Sequence, residues 1–380
     1  MNFHWRFTLI SSILFLLFFF TTFLTKNLNS FLPIKFFGTF AQVKYPRALP
    51  TSSSVPLAQQ EFNNSDQNAN ITSQVSMNNA TASIVCISYL QTANLGSLRS
   101  NFILQKGSGT YIYVDDENCE GKRGISIIGY SQVNPISMND LYFAINASIQ
   151  RSHLVLLVRD EHCQIDHPSI HYRQFYGSQV HSRFFPLGPR GEFITILPLM
   201  NEKPIERTFM FNFLGSITSK SREILRHMLM KKLNSNKFPS KVVFIKKWHA
   251  KVVKAYGYEN PLGYARILFN SWYTLCPDGN HPESYRIYES LEAGSIPILA
   301  LDEHYYEHPC QRAFDPFLEA KAPFIFLNSW NELPEFLERY ASNISWTKHR
   351  QIECMNWYRA WSHRTILEFE DSLEHLYKTG

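Results

Sequence analysis

CPDGNHPESYRIYESLEAGSIPILAL, residues Cys276–Leu301, is the stretch on which the reading of this chain turns. A short aromatic and apolar run, Trp272–Leu275, precedes it, and a Pro/Asp/Gly/Asn turn opens it. A helical pattern follows, then Gly294, then the apolar run Ile296–Leu301. Strand, turn, helix and strand in that order make a βαβ unit. Pro282 is expected in the first helical turn and Gly294 just past the helix end. Neither flanking run alternates apolar with polar residues, the habit of strands covered on both faces. The expected fold class is therefore α/β with parallel sheets.

The helix carries the chemistry. At about 100° per residue, Ile287, Tyr288 and Leu291 share one side, and Glu283, Arg286, Glu289 and Ser290 share the other. Arg286 stands three residues from each glutamate, so the three are expected to converge. Ligands of open parallel sheets sit beyond the carboxyl ends of the strands, where Pro277–His281 and the first turn of this helix lie. A helix N-terminus offers free N–H groups and partial positive charge to phosphate. The planar fork of Arg286 can hold a diphosphate, and a carboxylate can accept from ribose hydroxyls. Gly215 follows an earlier strand, Thr208–Leu214, at a place where a side chain would block a diphosphate. Such a set suits a sugar nucleotide. The ordinary alternative is a surface helix with two ion pairs and a tight turn at Gly215.

The same residues resemble the donor-binding signature of exostosin-like glycosyltransferases: Cys276-Pro277, Gly279, Tyr285-Arg286, Tyr288-Glu289 and Gly294-Ser295-Ile296-Pro297. Further matches are Glu161-His162-Cys163, Pro186-Leu187-Gly188, Asn212-Phe213-Leu214-Gly215, Ala322-Pro323-Phe324-Ile325-Phe326, Trp330, Leu333-Pro334 and Trp357-Tyr358. The resemblance covers residues 154–365 and fades before them. It implies a GT-B-like fold, two Rossmann-like domains facing a cleft. It implies donor-binding roles for Gly215, Arg222, Arg286 and Glu289, and the helical spacing adds Glu283 to that donor-binding set. Asp278, in the donor loop, falls outside the family pattern. The nearest branch of the family implies UDP-xylose as donor and a ribitol-phosphate acceptor on an O-mannosyl glycan, with inversion at the sugar. Another UDP-sugar and another glycan stay open within the family. No tightly bound cofactor and no metal are expected. The chain has no Asp-x-Asp pair to hold a divalent cation on a diphosphate, so arginine and a helix N-terminus would neutralise it.

Glu161 is the candidate general base. It follows the buried-type strand Leu154–Val158 and should project from a carboxyl strand end. An inverting transfer needs one base to take the acceptor proton. Asp160 is the local rival, and a glutamate that merely orients a loop is the plain alternative.

Two other classes compete. His304-Tyr305-Tyr306-Glu307-His308 spells H-x-x-E-H, an inverted zinc-peptidase pattern. Pro309 follows at once, and the run is expected in a loop after a strand, which argues against two histidines on one helical face. A membrane-anchored lectin or scaffold that keeps the fold without turnover is the other.

The rest of the chain sets the context. At 380 residues it can hold two domains, and its formal charge of +5 carries no dense basic block of the nucleic-acid type. Phe7–Leu24 is an uncharged run between Arg6 and Lys26, long enough as a helix to span about 27 Å of bilayer. We read residues 1–25 as a signal anchor, 26–82 as a disordered stem, 83–205 as an acceptor-side domain and 206–380 as the nucleotide-sugar domain with a final helix. Charges flanking the span do not follow the positive-inside pattern. Sequons at Asn63, Asn70, Asn79, Asn146 and Asn343 place the body in a lumen instead. The expectation is a single-pass type II Golgi protein with a nucleotide sugar and a glycan or glycoprotein as partners. Six cysteines, all beyond the anchor, are expected to form at least one disulfide. Cys86 and Cys119 are candidates for a local pair.

Overall fold

Among the described residues two parallel sheets form the framework, and both follow the same winding. The first contains β1 (Ser83–Ile87), β2 (Tyr111–Asp115), β3 (Gly124–Gly129), then helix α1 (Met138–Gln150), β4 (Leu154–Val158), β5 (Tyr172–Arg173) and β6 (Arg183–Phe184). Its strand order is β2-β1-β3-β4-β5-β6. β3 and β4 run in register from Ile125 opposite Leu154 to Gly129 opposite Val158, and every residue of both is buried. The continuous apolar run LVLLV is thus explained by cover on both faces. Ser137 caps α1 by accepting the Asp140 N–H at 3.1 Å, and Leu141, Ala144 and Ile145 are its buried apolar residues.

A short helix α2 (Gly191–Ile196) leads into the second sheet. There follow β7 (Phe209–Ser216), α3 (Lys220–Lys231), β8 (Ser240–Ile245), α4 (Pro261–Phe269), β9 (Ser271–Leu275), α5 (Tyr285–Glu292) and β10 (Ile296–Ala300). The chain ends with α6 (Glu303–Glu307), α7 (Asp315–Glu319), β11 (Ile325–Leu327), α8 (Leu333–Phe336) and the long α9 (Ile344–Thr379). The strand order is β11-β10-β9-β7-β8. In each sheet the second strand lies on one side of the first and the third on the other, so the winding reverses between them. In the second sheet that switch point is the crevice between β7 and β9, where ligands of open α/β sheets bind.

These statements rest on a computed structural model that describes residues 83–87, 111–115, 124–130, 137–177, 181–200, 207–231, 233, 237–245, 261–341 and 343–379. The run Phe7–Leu24, the stem with Asn63, Asn70 and Asn79, and Cys119 lie outside them. Among the described residues no helix is long and apolar enough to cross a membrane. Both sheets belong to one compact unit. The final helix joins them: Gln351 donates to the Gly294 carbonyl at 2.6 Å, while Phe369 packs edge-on against Tyr172 and Phe185.

Three local expectations need correcting. The central helix begins at Tyr285 behind Ser284, so Pro282 sits in the preceding turn rather than in the first helical turn. Glu283 is therefore off the helix, and the helical spacing that was to bring it to Arg286 does not apply to it. His304–Glu307 lies in a one-turn helix, not a loop. The Tyr305 N–H finds the Asp302 carboxylate at 3.1 Å, which caps that turn. His308 falls just beyond it. Gly294 does end the central helix, at φ +65, and a Cβ there would stand 3.0 Å from the Arg207 guanidinium.

Candidate functional site

A cavity of about 200 Å³ opens at the β7/β9 switch point. The end of β7 supplies Leu214, Gly215 and Ser216, α3 supplies Arg222, and α5 with its cap supplies Ser284, Tyr285, Arg286 and Glu289. Tyr264 of α4 and Arg190, which precedes α2, complete the lining. Gly215, Arg222, Arg286 and Glu289 are thus brought together. Neither Glu283 nor Glu161 is among the lining residues.

Arg286 lies over the Phe213 ring, 4.7 Å from its centroid, and Nη2 donates to the Leu214 carbonyl. Its Nε and Nη1 are buried with no hydrogen-bond partner among the described residues, and neither is the buried Ser284 Oγ paired. A buried guanidinium left with two idle donors is costly unless something arrives to accept from them. Gly215 has a protein reason to lack a side chain: a Cβ would come within 3.1 Å of both Arg286 Nη2 and the Phe213 ring. Arg222 ties the loops together, donating to the Asp278 carbonyl at 2.8 Å and the Ser216 carbonyl at 3.0 Å. Burial pushes its pKa down to about 10, and the neighbouring Arg286 charge acts in the same direction. Two cations that repel each other beside a cavity describe a place for an anion.

Glu289 is 1% exposed and has both oxygens engaged. Oε1 accepts from Arg190 Nε at 2.7 Å and Oε2 accepts from the Tyr264 hydroxyl at 2.8 Å. The Glu289 charge holds the Arg190 guanidinium above its ordinary range, and burial with the same carboxylate raises the Tyr264 hydroxyl. Arg190 and Tyr264 escaped the sequence reading. They lie 99 and 25 residues from Glu289, distances that no helical or strand period can bridge.

Glu283 is buried at 2%. Its Oε1 accepts from the Leu187 N–H at 3.0 Å and from the Tyr288 hydroxyl, while Oε2 is buried without a partner among the described residues. Desolvation lifts its pKa from 4.5 to about 7 against the pull of those donors. It ties the segment after β6 to the start of α5.

Glu161 stands in the tight turn after β4, half-buried, and its Oε2 accepts from Asn280 Nδ2 at 3.0 Å. Asn280 belongs to the loop after β9, so the two loops meet. Burial raises the hydroxyl of Tyr285, which lines the cavity, while the Arg159 charge lowers it and the Glu161 charge raises it. Asp160, the local rival, is tightly held by its contacts. At 1% exposure it pairs with Arg173 at 2.6 Å and accepts the Gln164 and Ile165 N–H groups at 2.9 Å each. It is a loop anchor with its oxygens spent.

Cys163 and Cys310 form a disulfide across 147 residues, and Cys276 and Cys354 are reduced and buried. The ligand atoms of Cys163, His281 and Cys310 lie within 4.8 Å of one another. The two sulfurs are bonded to each other, and a disulfide is not a thiolate metal ligand. His308, the last residue of H-x-x-E-H, is spent on structure: Nε2 bonds the Asn280 carbonyl at 2.8 Å and Nδ1 accepts the Cys310 N–H at 3.0 Å. The other matched aromatics are packing residues: Trp330 is fully buried on Ser221, and Trp357 donates to the Ala320 carbonyl at 2.7 Å.

Residues 192–377 match the RXYLT1 C-terminal domain. A protein of Danio rerio named ribitol-5-phosphate xylosyltransferase 1 is 30% identical over 198 residues, 50% of this chain and 42% of that protein. The Homo sapiens protein of the same name is 30% identical over 183 residues, 44% of this chain and 38% of its own length. The chain thus spans about two-fifths of the length of these relatives. The matched part contains β7 to β11 and every lining residue of the cavity except Arg190.

Proposed function

We propose that this chain is a glycosyltransferase that takes its sugar from a nucleotide diphosphate bound at the β7/β9 crevice. The observation that carries the reading is Arg286, whose Nε and Nη1 are buried and idle beside the unpaired Ser284 Oγ at the N-terminal end of α5. A diphosphate would accept from all three and from the free N–H groups of the helix start. Arg222 would complete its neutralisation. Glu289 would hold Arg190 and Tyr264 at the rim and use its remaining lone pairs for ribose hydroxyls. The shared winding of the two sheets supports a GT-B-like arrangement with a donor side and an acceptor side.

The donor we propose is UDP-xylose, and the acceptor a ribitol-phosphate hydroxyl on a glycan. Support comes from the names of the relatives and from the signature around Cys276–Pro297. Transfer would go with inversion. Glu161 takes the proton of the acceptor hydroxyl while that oxygen attacks the anomeric carbon and the diphosphate departs from the opposite side. We place the body in the Golgi lumen behind a type II anchor. The run Phe7–Leu24, the Cys163–Cys310 disulfide and the exposed sequon residues Asn146 and Asn343 support this.

A panel of UDP-sugars offered with ribitol 5-phosphate, read by UDP release and product mass, tests the reading. UDP-xylose should give a product heavier by one pentose. UDP release from another sugar alone would keep the reaction class and replace the donor. No UDP binding by calorimetry would remove the reading.

A further inference from the structure

Asn280 is exposed, and an exposed carboxamide ordinarily points to water. Here Nδ2 donates to Glu161 Oε2 at 3.0 Å across 119 residues of sequence. The Asn280 backbone is itself held, because its carbonyl bonds His308 Nε2 at 2.8 Å. His308 Nδ1 accepts the Cys310 N–H at 3.0 Å, so the ring proton is on Nε2 and the bond to Asn280 is a donation. Cys310 is joined to Cys163, two residues on from Glu161. The ring of His162 stacks on that of His308 with centroids 5.6 Å apart. These links close a loop that runs from Glu161 through the disulfide to His308, on to Asn280, and back to Glu161. Within it the carboxylate of Glu161 has one oxygen anchored. Oε1 makes no hydrogen bond among the described residues.

We propose that Asn280 is a positioning residue, holding Glu161 by Oε2 so that Oε1 is presented to the acceptor hydroxyl. The inference rests on the reading of Glu161 as the base. In the step it serves, Oε1 takes the hydroxyl proton as the acceptor oxygen bonds to the anomeric carbon. The bond from that carbon to the diphosphate breaks, and the diphosphate leaves with the electron pair. Because Asn280 lies in the loop between β9 and α5, base and donor site are held in one register. Small displacements of a catalytic group cost about 10²-fold in rate.

The test uses the full chain, UDP-xylose as donor, ribitol 5-phosphate as acceptor probe, and calorimetry with UDP. Asn280→Ala should lower kcat by about 10–100-fold, with KM for UDP-xylose and affinity for UDP within about twofold. In a Glu161→Gln background the same substitution should cost nothing further, since the group it positions is gone. Equal losses in both backgrounds would overturn the proposal, as would an unchanged kcat or a UDP affinity that falls in step with turnover. Near-normal turnover of Glu161→Gln alone is a different failure, that of the base reading itself.

Discussion

Replacing Glu283 with Gln should remove the loss of stability that this one carboxyl causes as pH rises from 5 to 8. The carboxyl is 2% exposed, its Oε2 has no partner among the described residues, and burial raises its pKa from 4.5 to about 7. Between those two values the unfolded chain has released the proton and the folded protein still holds it. Folded protein therefore binds more protons, and stability falls with rising pH. The contribution is fully present below 4.5 and is lost as pH rises through about 7. The gap corresponds to about 3 kcal/mol between the two limits. A glutamine keeps an oxygen to accept from the Leu187 N–H and the Tyr288 hydroxyl, and it resembles the protonated acid in shape and charge. At pH 5 the variant should match the wild type, and at pH 8 it should be more stable by up to about 3 kcal/mol. Urea denaturation at pH 5, 6.5 and 8 measures the difference directly. Titrations of other groups are common to both proteins and cancel. A difference that stays constant across the three pH values would show that the carboxyl is ionised throughout, and the argument from desolvation would fall.

Three further outcomes are expected. Arg286→Ala should weaken UDP binding by about 30-fold or more, the loss of about 2 kcal/mol for a buried charge-assisted contact. It should leave the melting temperature unchanged or slightly raised, because it removes a guanidinium with idle buried donors; marked unfolding with intact UDP binding would make Arg286 a structural residue. The pair Cys163→Ser and Cys310→Ser should cost about 2–5 kcal/mol in denaturation experiments, since the disulfide closes a long loop of the unfolded chain; no change in midpoint would refute that. Asn343 caps the final helix by accepting the Trp346 N–H on Oδ1 at 3.0 Å, and an N-linked sugar on Nδ2 leaves that oxygen free. In protein from a secreting eukaryotic cell, Asn343→Asp should lose one glycan on a gel and keep its stability, whereas Asn343→Ala should also lose about 1 kcal/mol; equal mobility of wild type and Asn343→Asp would show that the sequon is unused.

Much of the second sheet was determined by local sequence. The apolar runs at Trp272–Leu275 and Ile296–Leu301, the turn between them and Gly294 each specify their own conformation through neighbours a few residues away. Gly215, Arg286 and Glu289 could be singled out because each sits at a fixed offset from a strand end or a helix turn, and parallel winding carries such places to one crevice; Arg222 came from the family resemblance alone. What lay beyond a single element was decided by tertiary structure. Glu283 and Glu289 look alike in the sequence, yet one turn of backbone before α5 sends Glu283 into a dry contact with Leu187 while Glu289 reaches the cavity. Asp160 and Glu161 are adjacent acids, and only the arrival of Arg173 shows which is consumed as an anchor. Arg190, Tyr264 and Asn280 take their meaning from partners 99, 25 and 119 residues away. The Cys163–Cys310 pairing likewise waits on where two loops come to rest. A side chain's period is written in its own segment, but its desolvation and its partner are set by what packs against it from elsewhere in the chain.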